Sequence, residues 1–415
     1  MSWKLLQTTL SDANLDFIAG HPFIYHCHHF NLFLEQTVDD VFGIEQGNLM
    51  RVRAARSSSY HFLSHLFKQL DLTLPAERLS LAQEMFSTLG HGRLHINADE
   101  TGGSAEGEFL HCAFTWKEKY GAIIKRLHPV DSFAAGYVAG TVQAVFDSDY
   151  NFTAIETECY AMNAERCHFE LEAELDEEDV ELVDEAITKI RVKSPCVGLQ
   201  EQRIVEITKG LRGFLSGVAG DERGLVEAFG VFVTRHTTNY YNQLSYNTIV
   251  YMQATHPGLL PIAEELIRES GHVCVFNTFG GILYSPEWEG MVGKVTGNLE
   301  EIVSSCMAIA RALGFGSWAI EELTEQRFVL RTGSEYESPF CAINEIAPKQ
   351  NNAYFVQGAA VAIMQLWKAI DWNNRPELNQ ELYKQLFKND ASWEVKQSTS
   401  LAAGDPYTEI VVTYC

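Results

Sequence analysis

Residues 128–169 read HPVDSFAAGYVAGTVQAVFDSDYNFTAIETECYAMNAERCHF. The run opens on an acid, Asp131, ahead of a helix rich in small residues. It closes on Glu156, Cys159 and Cys167, packed into one short unit. Three donors that close, with a fourth upstream, suit a tetrahedral metal site. Carboxylates and thiolates can share a zinc, and both bind deprotonated. The spacing of the two cysteines lacks the two-residue gap of the commonest structural zinc sites. Two buried cysteines on a strand and its partner therefore stand as the alternative.

Working outward, the spacing predicts a helix over 131–146. Ala134, Ala135, Gly136, Ala139 and Gly140 let it approach another element closely. Upstream, 48–70 and 76–90 read as helices by the recurrence of Leu79, Leu81, Met85, Phe86 and Leu89. Gly90-His91-Gly92 breaks the second helix, and RLHIN reads as a strand. GGSAEG at 102–107 reads as a turn, and Glu108 to Trp116 as a second strand. On that strand His111, Cys112 and Trp116 either line a pocket or fill the core. Residues 20–31, GHPFIYHCHHFN, alternate like a strand that puts His26 and His28 on one face. His29 then leads into a helical segment. These histidines either meet a metal or a polar ligand atom, or are solvated at a strand edge.

Composition narrows the function. The chain has 415 residues, room for two or three domains, and 46% are hydrophobic, enough for substantial cores. Fifty-five acidic residues against 31 basic ones give a net charge of −24. That charge repels phosphate backbones and anionic membrane surfaces, so nucleic-acid binding is not expected. No apolar run reaches the length of a membrane span, and the first residues have no signal-peptide profile. The expectation is a cytoplasmic protein without membrane insertion, its nine cysteines reduced.

An internal repeat sets the architecture. Leu89-Gly90-His91-Gly92-Arg93-Leu94-His95-Ile96 returns as Leu313-Gly314-Phe315-Gly316-Ser317-Trp318-Ala319-Ile320. Cys112 is echoed by Cys341, and the helix at Gly136 by one at Gly358. SLAAGDPYTEI at 400–410 matches 159–169, with Gln397, Ser400 and Thr408 where Glu156, Cys159 and Cys167 stand. Hydroxyls and an amide are poor zinc ligands, so the second copy is expected to be metal-free. His28-His29-Phe30-Asn31 sets loosely against Asn239-Tyr240-Tyr241-Asn242, which leaves the histidines unrepeated. Domains are therefore expected at 1–173 and 199–415, with an acidic linker at 174–198.

With Gly136-Tyr137-Val138-Ala139-Gly140 and Glu156-Thr157-Glu158-Cys159 followed by Cys167, the chain resembles the 4-vinyl-reductase domain family. The resemblance covers about 20–170, and 230–412 as a degenerate copy. It implies an α+β fold: two tandem domains, each an antiparallel sheet with helices packed on one side, related to TRAPP subunits and haem nitric-oxide sensors. It also implies a structural zinc on Asp131, Glu156, Cys159 and Cys167. Asp131 stands where the family has cysteine, and His128 or Cys112 could take its place. The function implied is binding or sensing of a small aromatic or hydrophobic molecule. His26, His28, His29, His111, Trp116 and Tyr137 are the candidate ligand-binding residues. A metal- or haem-dependent enzyme acting on an unsaturated or tetrapyrrole-like substrate, with a second metal or haem at His26–His29, is the alternative. No dinucleotide loop is present, so whether the protein is catalytic stays open. A sensor of this composition would signal through a protein partner. Because family members dimerise, the two copies are expected to form a pseudo-dimer within one chain.

Overall fold

Three antiparallel sheets organise the computed structural model, which describes residues 3–122, 125–148, 150–174, 196–346, 349, 351–385 and 392–415. Strands β4 (Arg93–Asp99), β5 (Gly102–Glu108), β6 (Asn151–Glu158) and β7 (Cys167–Glu174) form the first outer sheet, in the order β4-β5-β7-β6. Strands β10 (Ala319–Leu323), β11 (Arg327–Thr332), β12 (Trp393–Thr399) and β13 (Thr408–Tyr414) repeat it as β10-β11-β13-β12. Even the irregularity recurs: the pairing slips between Glu156 and Glu158 in one sheet and between Gln397 and Thr399 in the other. The protein is thus an α+β chain with two copies of one sheet-and-helix unit. The linker expected at 174–198 falls, apart from its ends, outside the described residues.

A third sheet joins the copies. It runs β1 (Gln7–Leu10), β2 (Leu15–Ile18), β3 (His21–Cys27), β9 (Val231–Thr237), β8 (Val226–Ala228). At its centre β3 pairs antiparallel with β9, with Tyr25 opposite Arg235. Each central strand then bonds to the other copy's glycine turn. The Tyr25 N–H donates to the Leu313 carbonyl at 3.0 Å, and the Arg235 N–H to the Leu89 carbonyl at 2.9 Å. The exchange explains the repeated Leu-Gly. Gly90 and Gly314 have φ of +91° and +94°; a Cβ on Gly90 would lie 2.6 Å from the Val233 oxygen, and one on Gly314 2.8 Å from the Phe23 oxygen. Ile24, Cys27 and Phe30 accordingly join the second copy's core.

Within each copy a long helix backs the outer sheet. The helix Ser132–Phe146 packs on Ile44–Gln69, and a side chain at Gly136 would overlap the Val52 carbonyl. The helices Tyr354–Ala369 and Leu260–Cys274 make the same contact in the second copy through Gly358 and the Arg268 carbonyl. Among the described residues no helix is long and apolar enough to cross a membrane.

Two local expectations are corrected. GGSAEG is the strand β5, not a turn, and Glu108 to Trp116 is not a strand. The chain leaves β5 at Glu108, turns at Phe109 (φ +53°), and forms the helix His111–Tyr120. Small side chains suit β5 because it lies between β4 and β7, where Gly103 packs directly on Ala98. His26 and His28 do not share a strand face either, because β3 ends at Cys27 and a helix starts at His28.

Candidate metal centre and aromatic chamber

Asp131, Glu156, Cys159 and Cys167 converge. Each offers one donor atom, and these atoms all lie within 4.8 Å of one another; among the described residues this is the one group of three or more such donors. Local structure places each ligand. Asp131 stands at the N-cap of the helix Ser132–Phe146, Glu156 sits at the slip in β6, Cys159 precedes the short turn Tyr160–Met162, and Cys167 opens β7. A bulge turns one side chain out of its strand's alternation. His128 is exposed, and Cys112 turns its thiol to Glu35 at 3.5 Å, so neither joins the group.

The four acids are knitted to each other. The Asp131 N–H donates to Glu156 Oε2 at 2.9 Å, and the Cys167 thiol donates to Asp131 Oδ2 at 3.3 Å. The Tyr160 N–H donates to Cys167 Sγ at 3.3 Å, while Glu156 Oε1 is buried with no partner. Burial pushes the Asp131 and Glu156 carboxyls well above their usual range, reinforced at Asp131 by the Glu156 charge and at Glu156 by the Cys159 thiolate. A hydrogen bond with Cys167 holds the Cys159 thiol low and drives the Cys167 thiol up. Four acidic groups so close cannot all ionise unless a cation replaces their protons. The donor set, two thiolates and two carboxylates with one oxygen unspent, fits a divalent metal.

The second copy answers with neutral groups. Gln397 Oε1 accepts from the N–H groups of Asn352 and Ala353 at 3.0 Å each, as Glu156 does from Asp131. The Ser400 hydroxyl and the Gln397 amide donate to Asn352 Oδ1 at 2.8 and 3.0 Å, and the Leu401 N–H donates to Thr408 Oγ1 at 3.1 Å. Asn352, which sequence comparison did not single out, takes the part of Asp131.

The exchanged strands build two clusters of rings in mutual contact, the aromatic chambers of the two copies. In the first copy, His236 from β9 meets Phe133 at 4.3 Å and His91 at 4.4 Å between ring centroids, and stacks on Tyr240 at 5.2 Å. In the second copy, His26 from β3 stacks on Phe30 at 3.7 Å and meets Phe315 and Phe355 at 5.1 and 5.6 Å. The paired register makes His26 and His236 equivalents, so the histidine is repeated after all. What differs is its company: His91 in one chamber, Phe315 in the other. Tyr241 touches both histidines, at 4.6 and 5.0 Å.

Polar groups concentrate beside the first chamber. The His111 N–H donates to the His91 carbonyl at 3.0 Å. The Asn31 amide shares its Nδ2 between Thr234 Oγ1 (2.9 Å) and His111 Nε2 (3.2 Å), while Asn31 Oδ1 accepts from Tyr241. His111 Nε2 therefore accepts, and Nδ1 carries the proton. That Nδ1 is buried without a partner, as is Nδ1 of His236. Burial holds His91 and His111 down to about 3 and His236 well below its usual value, so all three are neutral at pH 7. Glu35, fully enclosed and pushed up to about 7 by burial, lies next to Cys112 with one oxygen unpartnered.

The remaining candidates scatter. His28 accepts the Phe232 N–H at 3.3 Å, and His29 Nδ1 meets the Tyr120 hydroxyl at 2.9 Å. Trp116 lies under the Arg126 guanidinium, 4.9 Å away, and the Tyr137 hydroxyl donates to the Ala82 carbonyl at 2.7 Å. His26, His28 and His29 do not converge on one point. His111 and Tyr137 stand by the first chamber, Tyr137 through Phe86 and Phe133. Sequence reasoning missed His91, His236, Asn31 and Glu35.

No family model matches the chain, and no curated protein does. Among solved structures it is similar to the phenol-responsive sensory domain of the transcription activator PoxR with phenol. The two share 16% identity and a TM-score of 0.34, over 41% of this chain and 86% of that one.

Proposed function

We propose that the first copy binds a small, mostly apolar molecule with one polar tip, beside a structural zinc held by Asp131, Glu156, Cys159 and Cys167. The observation that carries this reading is the buried His111 Nδ1–H with no acceptor, next to an aromatic chamber. A buried donor left unpaired costs about 1–3 kcal/mol. A ligand hydroxyl or carbonyl would remove that cost, and the rings of Phe133, Phe86 and Tyr240 would cover its apolar body. His236 and Phe133 touch in this structure, so entry moves one of them. Because His236 belongs to β9, such a movement reaches the second copy directly, and from there a protein partner.

On this reading the chain is a tandem 4-vinyl-reductase-type protein whose copies act as a pseudo-dimer, and only the first keeps its metal. Zinc suits the thiolate and carboxylate set, and its binding energy would add to folding. The test uses phenol, the smallest aromatic ring with a hydroxyl, against toluene, which lacks it. Phenol should raise the melting midpoint of the full chain more than toluene does. His111→Phe should cost phenol roughly tenfold in affinity, about one charge-neutral hydrogen bond, and leave toluene unchanged. Equal responses to the two probes in the wild-type chain would refute the assignment.

A further inference from the structure

A second cleft lies on the seam between the copies, away from both chambers. It has a volume of about 560 Å³, and Thr8, Asp16, Tyr25, Arg212, Ser216 and Arg235 are among its walls. Its floor is the meeting point of β3 and β9, where Tyr25 faces Arg235.

Two arginines there are under-used. Arg235 is half-buried, and its guanidinium rests over the rings of Phe23 and Tyr25, 5.7 and 5.4 Å from their centroids. Among the described residues it has no acid partner, and its Nε is buried with no acceptor. Arg212 reaches Asp16 at only 3.7 Å and the Arg311 carbonyl at 3.1 Å, and its Nε is also buried without an acceptor. The contrast with the rest of the chain is sharp. Arg51 pairs with Asp39, Arg311 with Glu201 and Arg331 with Glu409, as expected where acids outnumber bases 55 to 31. An enclosed guanidinium N–H without an acceptor is costly and calls for a partner. Stacking on two rings fixes the plane of the Arg235 fork in advance, which lowers the cost of binding a planar or tetrahedral oxyanion.

We infer that this cleft binds a small molecule through a carboxylate or phosphate group, with Arg235 as the principal anchor and Arg212 as the second. Thr8 supplies a hydroxyl for a remaining oxygen, whereas the Ser216 hydroxyl is spent on the Gly213 carbonyl at 2.8 Å. The site is independent of the proposed chamber ligand and of the metal.

The experiment is calorimetric titration of the full chain with inorganic phosphate and, separately, with acetate, at an ionic strength held constant with sodium chloride. At least one should bind saturably at one site per chain in the millimolar range, and whichever binds names the group. Arg235→Gln should weaken that binding tenfold or more, Arg212→Gln several-fold, and Arg235→Lys should retain part of it. If Arg235→Gln does not fold, Arg235→Lys and Arg212→Gln decide. Failure of both anions to bind saturably, or binding unchanged in the folded variants, overturns the site.

Discussion

Glu35→Gln should make the protein more stable above neutral pH and less stable below it. Glu35 is fully buried, next to the Cys112 thiol and in the field of Arg51, Arg126 and Asp39. Burial raises its carboxyl from 4.5 to about 7. A group whose folded value is raised stabilises most below its unfolded value, and that stability is lost as pH rises through the folded value. The loss therefore begins above about pH 4.5 and is complete somewhat above pH 7. The difference is about 2.5 units, and at 1.36 kcal/mol per unit it amounts to about 3 kcal/mol. Glutamine keeps the shape and cannot ionise. At pH 5 the folded carboxyl is still protonated, and the amide cannot reproduce its contacts in full, so the change should cost on the order of 1 kcal/mol; at pH 8.5, where the buried carboxylate would be charged, it should gain on the order of 2 kcal/mol. Urea melts of both proteins at half-unit pH intervals measure this. The difference between them cancels the buried histidines, which titrate in both. A stability difference that stays flat from pH 5 to 8.5 would refute the reasoning, because it would mean that Glu35 is already ionised in the folded chain at pH 5.

On the proposed zinc site, the wild-type chain should carry one zinc by plasma emission, and Cys159→Ser should carry none and melt at a lower temperature. In the neutral quartet of the second copy, Asn352→Ala leaves the Ser400 hydroxyl and the Gln397 amide without their acceptor. It should cost about 2–4 kcal/mol in chemical denaturation while metal content stays unchanged. Gly90→Ala should cost about 2–3 kcal/mol, because the alanine must hold a left-handed backbone and also push back the Val233 carbonyl. Gly404→Ala, left-handed at φ +99° and ψ 0° with nothing within 4 Å, should cost only about 1 kcal/mol, and equal melts for the two would argue against the strand exchange. In the Glu35→Gln chain, where the opposing gain from Glu35 is removed, acidification from pH 6.5 to pH 4 should destabilise more than in wild type, because His91, His111 and His236 are held neutral when folded but take up protons when unfolded.

The cluster of candidate metal donors was legible because it is local. Asp131, Glu156, Cys159 and Cys167 lie on one helix cap, one strand pair and the turn between them, so spacing carries their geometry. The loss in the second copy was legible for the same reason, although Asn352 lay outside the matched stretches. The chamber was not legible. His91 and His236 meet only because β9 crosses to the first copy, and nothing in local periodicity announces a crossing. One signal was available. Aligning the copies so that His26 falls on His236, an offset of 236 − 26 = 210, matches Phe30 with Tyr240 and the helix start at His28 with that at Thr238. The offset of 211 taken from His28 against Asn239 hides that match by one residue. The misread β5 has a different cause: its glycines reflect crowding between two neighbouring strands, and crowding is a tertiary fact.

The pairing of Tyr25 with Arg235 has a consequence for how such a chain can change. Where two identical subunits exchange strands, the residue at the centre faces its own twin. An arginine there would meet an arginine, and any substitution would strike both sides at once. Joining the two copies in one chain lifts that restriction. Each side of the seam can vary alone, so an aromatic ring can carry a guanidinium, one chamber can keep a pair of imidazoles while the other gains phenyl rings, and one copy can keep an acidic cluster where the other has an amide network.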